Sequence, residues 1–184
     1  AKAVVFEGPE DYHDRIDDPA LGIDEETILF IRNVGPLGYP GSAEVVNMQP
    51  PTALLAKGVR HLPTVGDGRQ SGTSESPSIL NASPEAAAGS GLALLRTGDR
   101  VRLDIPKGRM DVELPEGELA ARRAAWSAPE FEHQTPWQRI YREHVGPLST
   151  GGCLEFATQI RRTSAKLPRR SEEHTSELQS RMFI

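Results

Sequence analysis

Two glycine-rich loops hold the side chains of this sequence with the clearest potential for chemistry. Residues 35–41 contain three glycines and two prolines, and Glu44 follows them closely. Residues 66–74 contain three glycines together with acidic, basic and hydroxyl side chains, Ser71 among them. Such compositions disfavour regular structure and specify shaped turns. Because each loop follows a predicted strand, and binding groups often lie in loops held by a rigid scaffold, these loops are the predicted functional centre.

The individual side chains of these loops leave more than one interpretation open. Asp67 and Arg69 could orient a substrate or pair with each other. Ser71 lies in Gly-Arg-Gln-Ser-Gly, which is not the Gly-x-Ser-x-Gly pattern of a hydrolase nucleophile, so that class is disfavoured. A serine in a glycine-rich turn is ordinarily a turn former. A single glutamate after a loop, such as Glu44, is ordinarily solvated or starts a helix, so only a longer motif favours a functional role.

Hydrophobic periodicity predicts the elements that position these loops. The runs at residues 3–6 and 27–32 are apolar and of strand length, and the second is typical of a strand buried on both faces. Residues 100–105 and 110–114 alternate apolar and polar side chains around a Pro-Lys-Gly turn, which predicts an antiparallel hairpin. Further patterns predict a strand at 59–65, helices at 9–16 and 116–126, and a helical region that begins with the alanine-rich segment 85–88 and is closed by Gly98-Asp99.

Composition and charge narrow the class of protein. The 184 residues suit one domain of ordinary size, and 37% hydrophobic residues suit a modest core. A net charge of −5, without a continuous Lys/Arg stripe, disfavours nucleic-acid binding. No apolar run approaches the ~20 residues of a membrane span, and the first residues do not resemble a signal peptide. The single cysteine, Cys153, is expected in the core and forms no internal disulfide, so a cytoplasmic protein without membrane partners is predicted.

Four motifs in a fixed order carry a resemblance to a known family. They are GYPGSAEVVNM at residues 38–48, GDGRQSGT at 66–73, SPEAAAG at 83–89 and ELAARR at 118–123. Together they resemble the C-terminal domain of the dihydroxy-acid dehydratase and 6-phosphogluconate dehydratase family, from about residue 3 to about residue 162. The first two motifs, with QTPWQ at 134–138, are most similar to the sugar-acid branch, the xylonate and arabinonate dehydratases.

The resemblance implies a hydro-lyase that removes water from a 2,3-dihydroxy carboxylate, such as a sugar acid, to give a 2-keto-3-deoxy acid. Matched to the family motifs, Glu44 is expected to bind Mg²⁺, and Ser71 is expected to be the base that removes the C2 proton. Because an ordinary serine is too weak a base at neutral pH, its site must stabilise the alkoxide through nearby cations and backbone N–H groups. The expected substrate-binding residues are Asp67, Arg69, Gly72 and Thr73.

The resemblance also implies a fold and a larger enzyme. The expected fold is α/β: a β-rich swivelling β/β/α barrel, truncated at its N-terminal edge, that closes over an N-terminal domain missing from this sequence. That domain is expected to carry the cysteines of an iron–sulfur cluster and the other Mg²⁺ ligands, because one cysteine cannot hold a cluster. The complete enzyme is expected to be a homo-oligomer, and this chain alone is expected to be inactive.

Domain boundaries and two departures from the family pattern complete the expectations. The dehydratase domain is expected at residues 1–162 and a disordered tail at 163–184. Within the tail, residues 170–180 match the translation of a common sequencing adapter, so 170–184 are interpreted as an artefact. Thr64 stands where sugar-acid members often have cysteine. Glu75 stands where glycine is expected, and its charge near Ser71 puts full activity in question.

Two other functions stay open on the sequence. One is the dihydroxy-acid dehydratase of branched-chain amino-acid biosynthesis, whose motifs fit less well. The other is a stand-alone small-molecule binding module, built on the same barrel but without catalysis. An upstream reading frame that carries the cluster cysteines would favour a dehydratase over the stand-alone module.

Overall fold

A curled, six-stranded mixed sheet organises the protein. The structure is a computed structural model that describes residues 1–40, 44, 47–70 and 76–164. Residues 159 and 161–164 are described by their backbone alone. The strands are β1 (Lys2–Phe6), β2 (Thr27–Ile31), β3 (Thr64–Gly66), β4 (Ser78–Ile79), β5 (Arg100–Asp104) and β6 (Arg109–Glu113). Their order across the sheet is β4-β3-β2-β1-β5-β6, which forms a half-barrel. The predicted α/β class is confirmed.

Short helices connect and cover the strands. They are α1 (Pro9–Arg15), α2 (Thr52–Leu55), α3 (Gly91–Leu94), α4 (Glu118–Ala125), α5 (Pro136–His144) and α6 (Glu155–Ser164). Helix α5 begins with a capping box: the Gln138 amide donates to the Thr135 hydroxyl, and the Gln138 side-chain oxygen accepts from the Thr135 amide. Over the described ranges, no helix is long and apolar enough to cross a membrane.

Strand β2 lies between two parallel neighbours. Leu29 is opposite Val4 of β1 on one side and opposite Thr64 of β3 on the other. All five residues of β2 are buried, as predicted for a continuous apolar run. Strand β1 also pairs with β5, antiparallel, through Lys2 and Arg100, so it lies inside the sheet and the outer described strands are β4 and β6.

Alternation along the parallel strands divides the core between the two faces of the sheet. One face carries Val4, Phe6, Leu29, Ile31, Val34, Met48 and Leu62, packed with Tyr12 of α1 and Leu54 of α2. The other carries Ala3, Val5, Ile28, Phe30, Val65, Leu92, Leu95 and Val101. Each fully buried large side chain, such as Phe30, contributes roughly 2–3 kcal/mol. Because a slip of one residue would exchange the two faces, this alternation fixes where the loops after β2 and β3 begin.

The predicted antiparallel hairpin of β5 and β6 is confirmed. Beside it, the ELAARR motif lies in α4 and supplies an arginine that binds three other residues. The Arg122 guanidinium donates to Asp99 at 2.5 and 2.9 Å, to Glu118 at 2.7 Å and to the Leu94 carbonyl at 3.0 Å. The Arg122 and Asp99 side chains are each only 8% exposed. Arg122 therefore holds α4 against the chain that leads into β5.

The helical region predicted from residue 85 to its close at Gly98 forms only in part, as α3 (Gly91–Leu94), and its first turn is of another type. A 3-10 turn, Ala86–Ala88, forms there instead, and Gly89 ends it with φ of 75°. The reason is Glu85: its side chain is fully buried and accepts hydrogen bonds from distant backbone amides, so it does not start a solvated helix. Strand β3 is also shorter than predicted. It spans Thr64–Gly66 and not 59–65, so the loop that precedes it is longer.

Helix α6 is the last described element, and the predicted domain boundary at residue 162 stays a prediction. Helix α6 continues to Ser164, two residues beyond the predicted end of the domain at 162. The rest of the predicted tail, including the adapter-like segment at 170–180, lies outside the described residues.

Candidate functional site

The two glycine-rich loops leave the sheet at the same edge. Strands β2 and β3 are adjacent and parallel, with Ile31 opposite Gly66. Their carboxyl ends therefore meet at the edge where open parallel sheets usually bind ligands. This is the strand arrangement that a site shared by Glu44 and Ser71 requires. Because Ser71 lies outside the described residues, the presence of both side chains in one cavity stays a prediction.

Two glycines allow close backbone contacts, one between the loops and one within the first loop. A Cβ on Gly68 would lie 2.4 Å from the carbonyl oxygen of Val34, far inside any normal contact. A Cβ on Gly38 would lie 2.5 Å from the carbonyl group of Asn33, which closes the first loop on itself. A larger residue at either position would push backbone segments apart, so Gly68 sets the distance between the loops and Gly38 sets the shape of the first loop.

Asp67 joins the two loops through its carboxylate. One oxygen accepts from the Val34 amide at 3.0 Å, and the other accepts from the amides of Asn33 at 3.1 Å and Ala86 at 2.8 Å. Asn33 has φ of 62°, a left-handed conformation that directs the consecutive amides of Asn33 and Val34 toward the same carboxylate. The Asp67 side chain is fully buried. Its expected role in substrate binding stays a prediction.

Glu85 extends the same connection to a third segment. Its Oε2 accepts from the Leu37 amide at 2.9 Å, and its Oε1 accepts from the Leu148 amide, also at 2.9 Å. A Cβ on Gly35 would lie 2.5 Å from that Oε2, so the first loop packs directly on the carboxylate. Glu85 is fully buried. Two buried carboxylates thus bind backbone amides from three separate stretches of chain, at residues 33–37, 86 and 148.

Burial changes the protonation of both carboxyls in the same direction. It raises the pKa of Asp67, against the amides of Val34, Ala86 and Asn33, which lower it. Burial likewise raises the pKa of Glu85, against the backbone amides of Leu148, Leu37 and Gly38, which lower it, and the nearby charge of Asp67 raises it further. Both groups hold a proton more tightly in the folded than in the unfolded protein.

We expect the pH dependence of stability to show the raised pKa of Asp67. An unfolded aspartate titrates near pH 3.9, and below that pH the contribution of the protonated group is fully present. Between that pH and the raised folded pKa, only the folded state keeps the proton, so the free energy of unfolding falls as pH rises. Urea midpoints of wild type and Asp67→Asn should therefore differ less at pH 8 than at pH 4. A difference that widens with pH would contradict this assignment.

The remaining predicted site residues are described only in part. Glu44 and Arg69 are exposed. Thr64 is buried, and its hydroxyl donates to the Ser78 hydroxyl at 2.8 Å, so the position that often carries cysteine in sugar-acid members is filled by a bonded threonine. The other predicted residues lie outside the described residues: Ser71, Gly72 and Thr73, with Glu75 beside them.

Sequence reasoning missed the side chains that α5 brings to these loops. Arg142 donates to the Gly38 carbonyl at 3.1 Å. Burial raises the pKa of Tyr141, the charge of Glu85 raises it further and that of Arg69 lowers it, so this phenol lies near charged groups of both regions. The capping box at the start of α5 is the sequence signal that could have located this helix.

The described residues fit the implied cofactors only in part. Among them, no three His, Cys, Asp or Glu side chains form a metal-binding group. The exposed Glu44 carboxylate is an oxygen donor of the type that Mg²⁺ prefers, so it fits as one ligand of a site completed by other residues. Cys153 is exposed, contrary to its expected core position. Because the sequence has one cysteine and a cluster needs about four such ligands, an iron–sulfur cluster does not fit this chain alone.

Comparison with known proteins defines the class. Residues 1–152 match the family described as "Dihydroxy-acid/6-phosphogluconate dehydratase C-terminal". This match covers most of the chain. The chain therefore belongs to this dehydratase family, and the resemblance seen in the sequence motifs is confirmed.

Individual members of the family are also similar to the chain. D-xylonate dehydratase of Caulobacter vibrioides is 59% identical over 169 residues, which are 92% of this chain and 28% of that enzyme. L-arabinonate dehydratase of Rhizobium leguminosarum is 40% identical over 155 residues, 84% of this chain and 27% of that enzyme. A dihydroxy-acid dehydratase of Archaeoglobus fulgidus is 39% identical over 110 residues, 60% of this chain and 20% of that enzyme. The chain spans little more than a quarter of the length of the first two relatives.

Proposed function

We propose that this chain is the C-terminal part of a hydro-lyase that dehydrates a sugar acid, such as an aldonate, to a 2-keto-3-deoxy acid. The observation that carries the proposal is the meeting of both motif-bearing loops at one edge of parallel strands, in a chain 59% identical to a D-xylonate dehydratase. The similarity to a dihydroxy-acid dehydratase is lower, 39% over 60% of the chain. This difference favours the sugar-acid branch over the branched-chain one.

Ser71 is assigned the role of the base that removes the proton from C2 of the substrate. Its alkoxide oxygen takes the proton, and the electron pair left on C2 forms the C2–C3 double bond. The C3 hydroxyl takes up one proton and leaves as water, so one proton is removed and one is consumed. The C2 hydroxyl of the resulting enol then loses its proton while C3 gains one, which gives the 2-keto acid. Since negative charge develops next to the substrate carboxylate, positive groups and backbone N–H groups must face it. Arg69, Gly72 and Thr73 are assigned to the substrate by the same motif.

Glu44 is assigned to Mg²⁺, together with ligands from the rest of the enzyme. When bound, the ion would polarise the substrate carboxylate and stabilise the developing enediolate charge. The carboxylate of Glu44 is exposed on the loop that follows β2, where a metal and a substrate can reach it. The ligands of the iron–sulfur cluster are assigned to an N-terminal domain outside this chain. The complete enzyme is proposed to be a homo-oligomer in the cytoplasm.

The test uses a hybrid enzyme, in which residues 1–162 of this chain replace the matching segment of the Caulobacter relative. We expect the hybrid enzyme to convert D-xylonate to its 2-keto-3-deoxy acid. The 184-residue chain alone should neither turn over D-xylonate nor bind it saturably in calorimetry. A stable but inactive hybrid enzyme, together with saturable binding by the chain alone, would instead support a stand-alone binding module.

In the hybrid enzyme, Glu44→Gln is expected to raise the Mg²⁺ concentration for half-maximal turnover roughly tenfold or more, because an amide oxygen binds a hard cation more weakly than a carboxylate does. Excess Mg²⁺ should restore part of the turnover. Glu113→Gln is the matched control, since Glu113 is an exposed glutamate on β6 and should leave the Mg²⁺ requirement unchanged. An unchanged requirement in Glu44→Gln would remove this residue from the metal site.

A further inference from the structure

We propose that Asp67 and Glu85 are positioning residues, whose buried carboxylates fix the spacing between the described parts of the two glycine-rich loops, from which the chain continues to Glu44 and to Ser71. This inference rests on the proposed function and adds to it two residues that act through the loops. Asp67 is thereby assigned a role different from the direct substrate contact implied by the motif.

The first step of the argument is that Asp67 leaves little freedom between the loops. Its short side chain starts in the second loop and reaches Asn33 and Val34 at the start of the first loop, with amide-to-oxygen distances of 3.1 and 3.0 Å. Both carboxylate oxygens are engaged, and none of the side chain is exposed. A substrate could reach these oxygens only by displacing backbone amides, so the carboxylate orients the loops.

The second step is that Glu85 holds the first loop from the other side. It accepts from Leu37, three residues beyond Val34, and from Leu148 in the turn that follows α5. The Ala86 amide, next in the chain, donates to Asp67 at 2.8 Å. The two carboxylates are therefore linked through one peptide, and a shift of either one moves the first loop.

The third step concerns why carboxylates stand at these positions. Fully satisfied buried polar networks favour one arrangement of the chain, whereas apolar packing tolerates several. The backbones of Gly68 and Val34 are already in close contact, so the loops cannot come nearer to each other at this point. Since a misplacement of about 1 Å between reacting groups can cost roughly a hundredfold in rate, loop spacing at this edge has a direct effect on catalysis.

The experiment compares Asp67→Asn and Glu85→Gln with Asp99→Asn in the hybrid enzyme. Each variant removes a buried carboxylate, but Asp99 pairs with Arg122 near β5, away from the loops. For Asp67→Asn and Glu85→Gln we expect kcat per folded enzyme to fall roughly a hundredfold, while KM for D-xylonate changes less than about threefold. Asp99→Asn should lower the unfolding midpoint and leave kcat within about twofold.

Hydrogen exchange of the 184-residue chain separates failure of this inference from failure of the proposed function. Asp67→Asn should speed exchange at Val34 and Ala86, and Glu85→Gln should speed it at Leu37 and Leu148, while the amides of β6 keep their wild-type rates. If these rates do not change, the positioning role is wrong whatever the hybrid enzyme does. If they change but the wild-type hybrid enzyme is inactive, the proposed function alone fails.

Two kinetic outcomes would overturn the inference. A rise in KM of tenfold or more at unchanged kcat in Asp67→Asn would show a direct contact with substrate. A kcat within twofold of wild type in both loop variants would show that the carboxylates only stabilise the fold. Glu85 accepts from two amides and Asp67 from three, so Glu85→Gln disturbs fewer hydrogen bonds and provides the test if Asp67→Asn does not fold.

Discussion

Ser71→Ala in the hybrid enzyme is expected to lower the turnover of D-xylonate by about a thousandfold or more, with folding and metal content unchanged. General-base catalysis contributes roughly 10²–10⁴-fold, and here the base also starts the reaction. Exchange of the C2 proton with solvent should disappear together with turnover, because both need the same proton removal. Turnover is measured by formation of the 2-keto acid, and exchange by proton NMR in heavy water.

The matched control for this substitution is Ser90→Ala. Ser90 caps α3 by accepting from the Leu92 amide at 3.2 Å, and its loss should cost about 1 kcal/mol of stability without changing turnover. Near-normal turnover in Ser71→Ala would remove Ser71 as the base. Lost turnover with C2 exchange retained would place Ser71 in the later loss of the hydroxyl.

Gly68→Ala is expected to lower the free energy of unfolding by about 3 kcal/mol, as overpacking of a tight contact does. The added Cβ would lie 2.4 Å from the Val34 carbonyl oxygen and 2.8 Å from its carbon, both backbone atoms that cannot rotate away. The loops must separate, and the hydrogen bonds from Asn33 and Val34 to Asp67 should lengthen. Urea unfolding measures the loss, and faster amide exchange at Val34 would locate it.

Gly91→Ala provides the control for this prediction. A Cβ at Gly91 meets no atom within 4 Å, and the residue lies in α3, where alanine is favoured. This substitution should be neutral or stabilise by up to about 1 kcal/mol. If Gly68→Ala were as stable as Gly91→Ala, the close approach of the two loops would not exist in solution.

The sequence predicts best the elements whose pattern is local. The apolar run of β2 and the alternation of β5 and β6 follow from periods that neighbouring residues alone define, and all three strands are confirmed. The parallel pairing of β2 with β3 could be anticipated because both loops needed a common edge. These elements account for the position of the candidate site, but not for its interior.

The residues that hold the site together were not predictable in the same way. Asp67 and Glu85 are acidic residues in loops, which ordinarily are solvated, and only the fold shows that distant amides replace water around them. The Arg122 anchor depends on Asp99, which lies 23 positions earlier in the chain. Hydrophobic periodicity cannot predict such pairs, because the two partners are far apart in the sequence and only the tertiary fold brings them together.

The central position of β1 has a consequence for how the protein is made. Lys2 pairs with Thr27 on one side and with Arg100 on the other. At synthesis rates of roughly 5–20 residues per second, roughly 4–14 seconds pass between the appearance of β2 and that of β5. During this interval one edge of β1 waits for its partner strand, and unpaired strand edges favour association with other chains. A substitution in β5 can therefore reduce the yield of folded protein while leaving the free energy of the folded state unchanged.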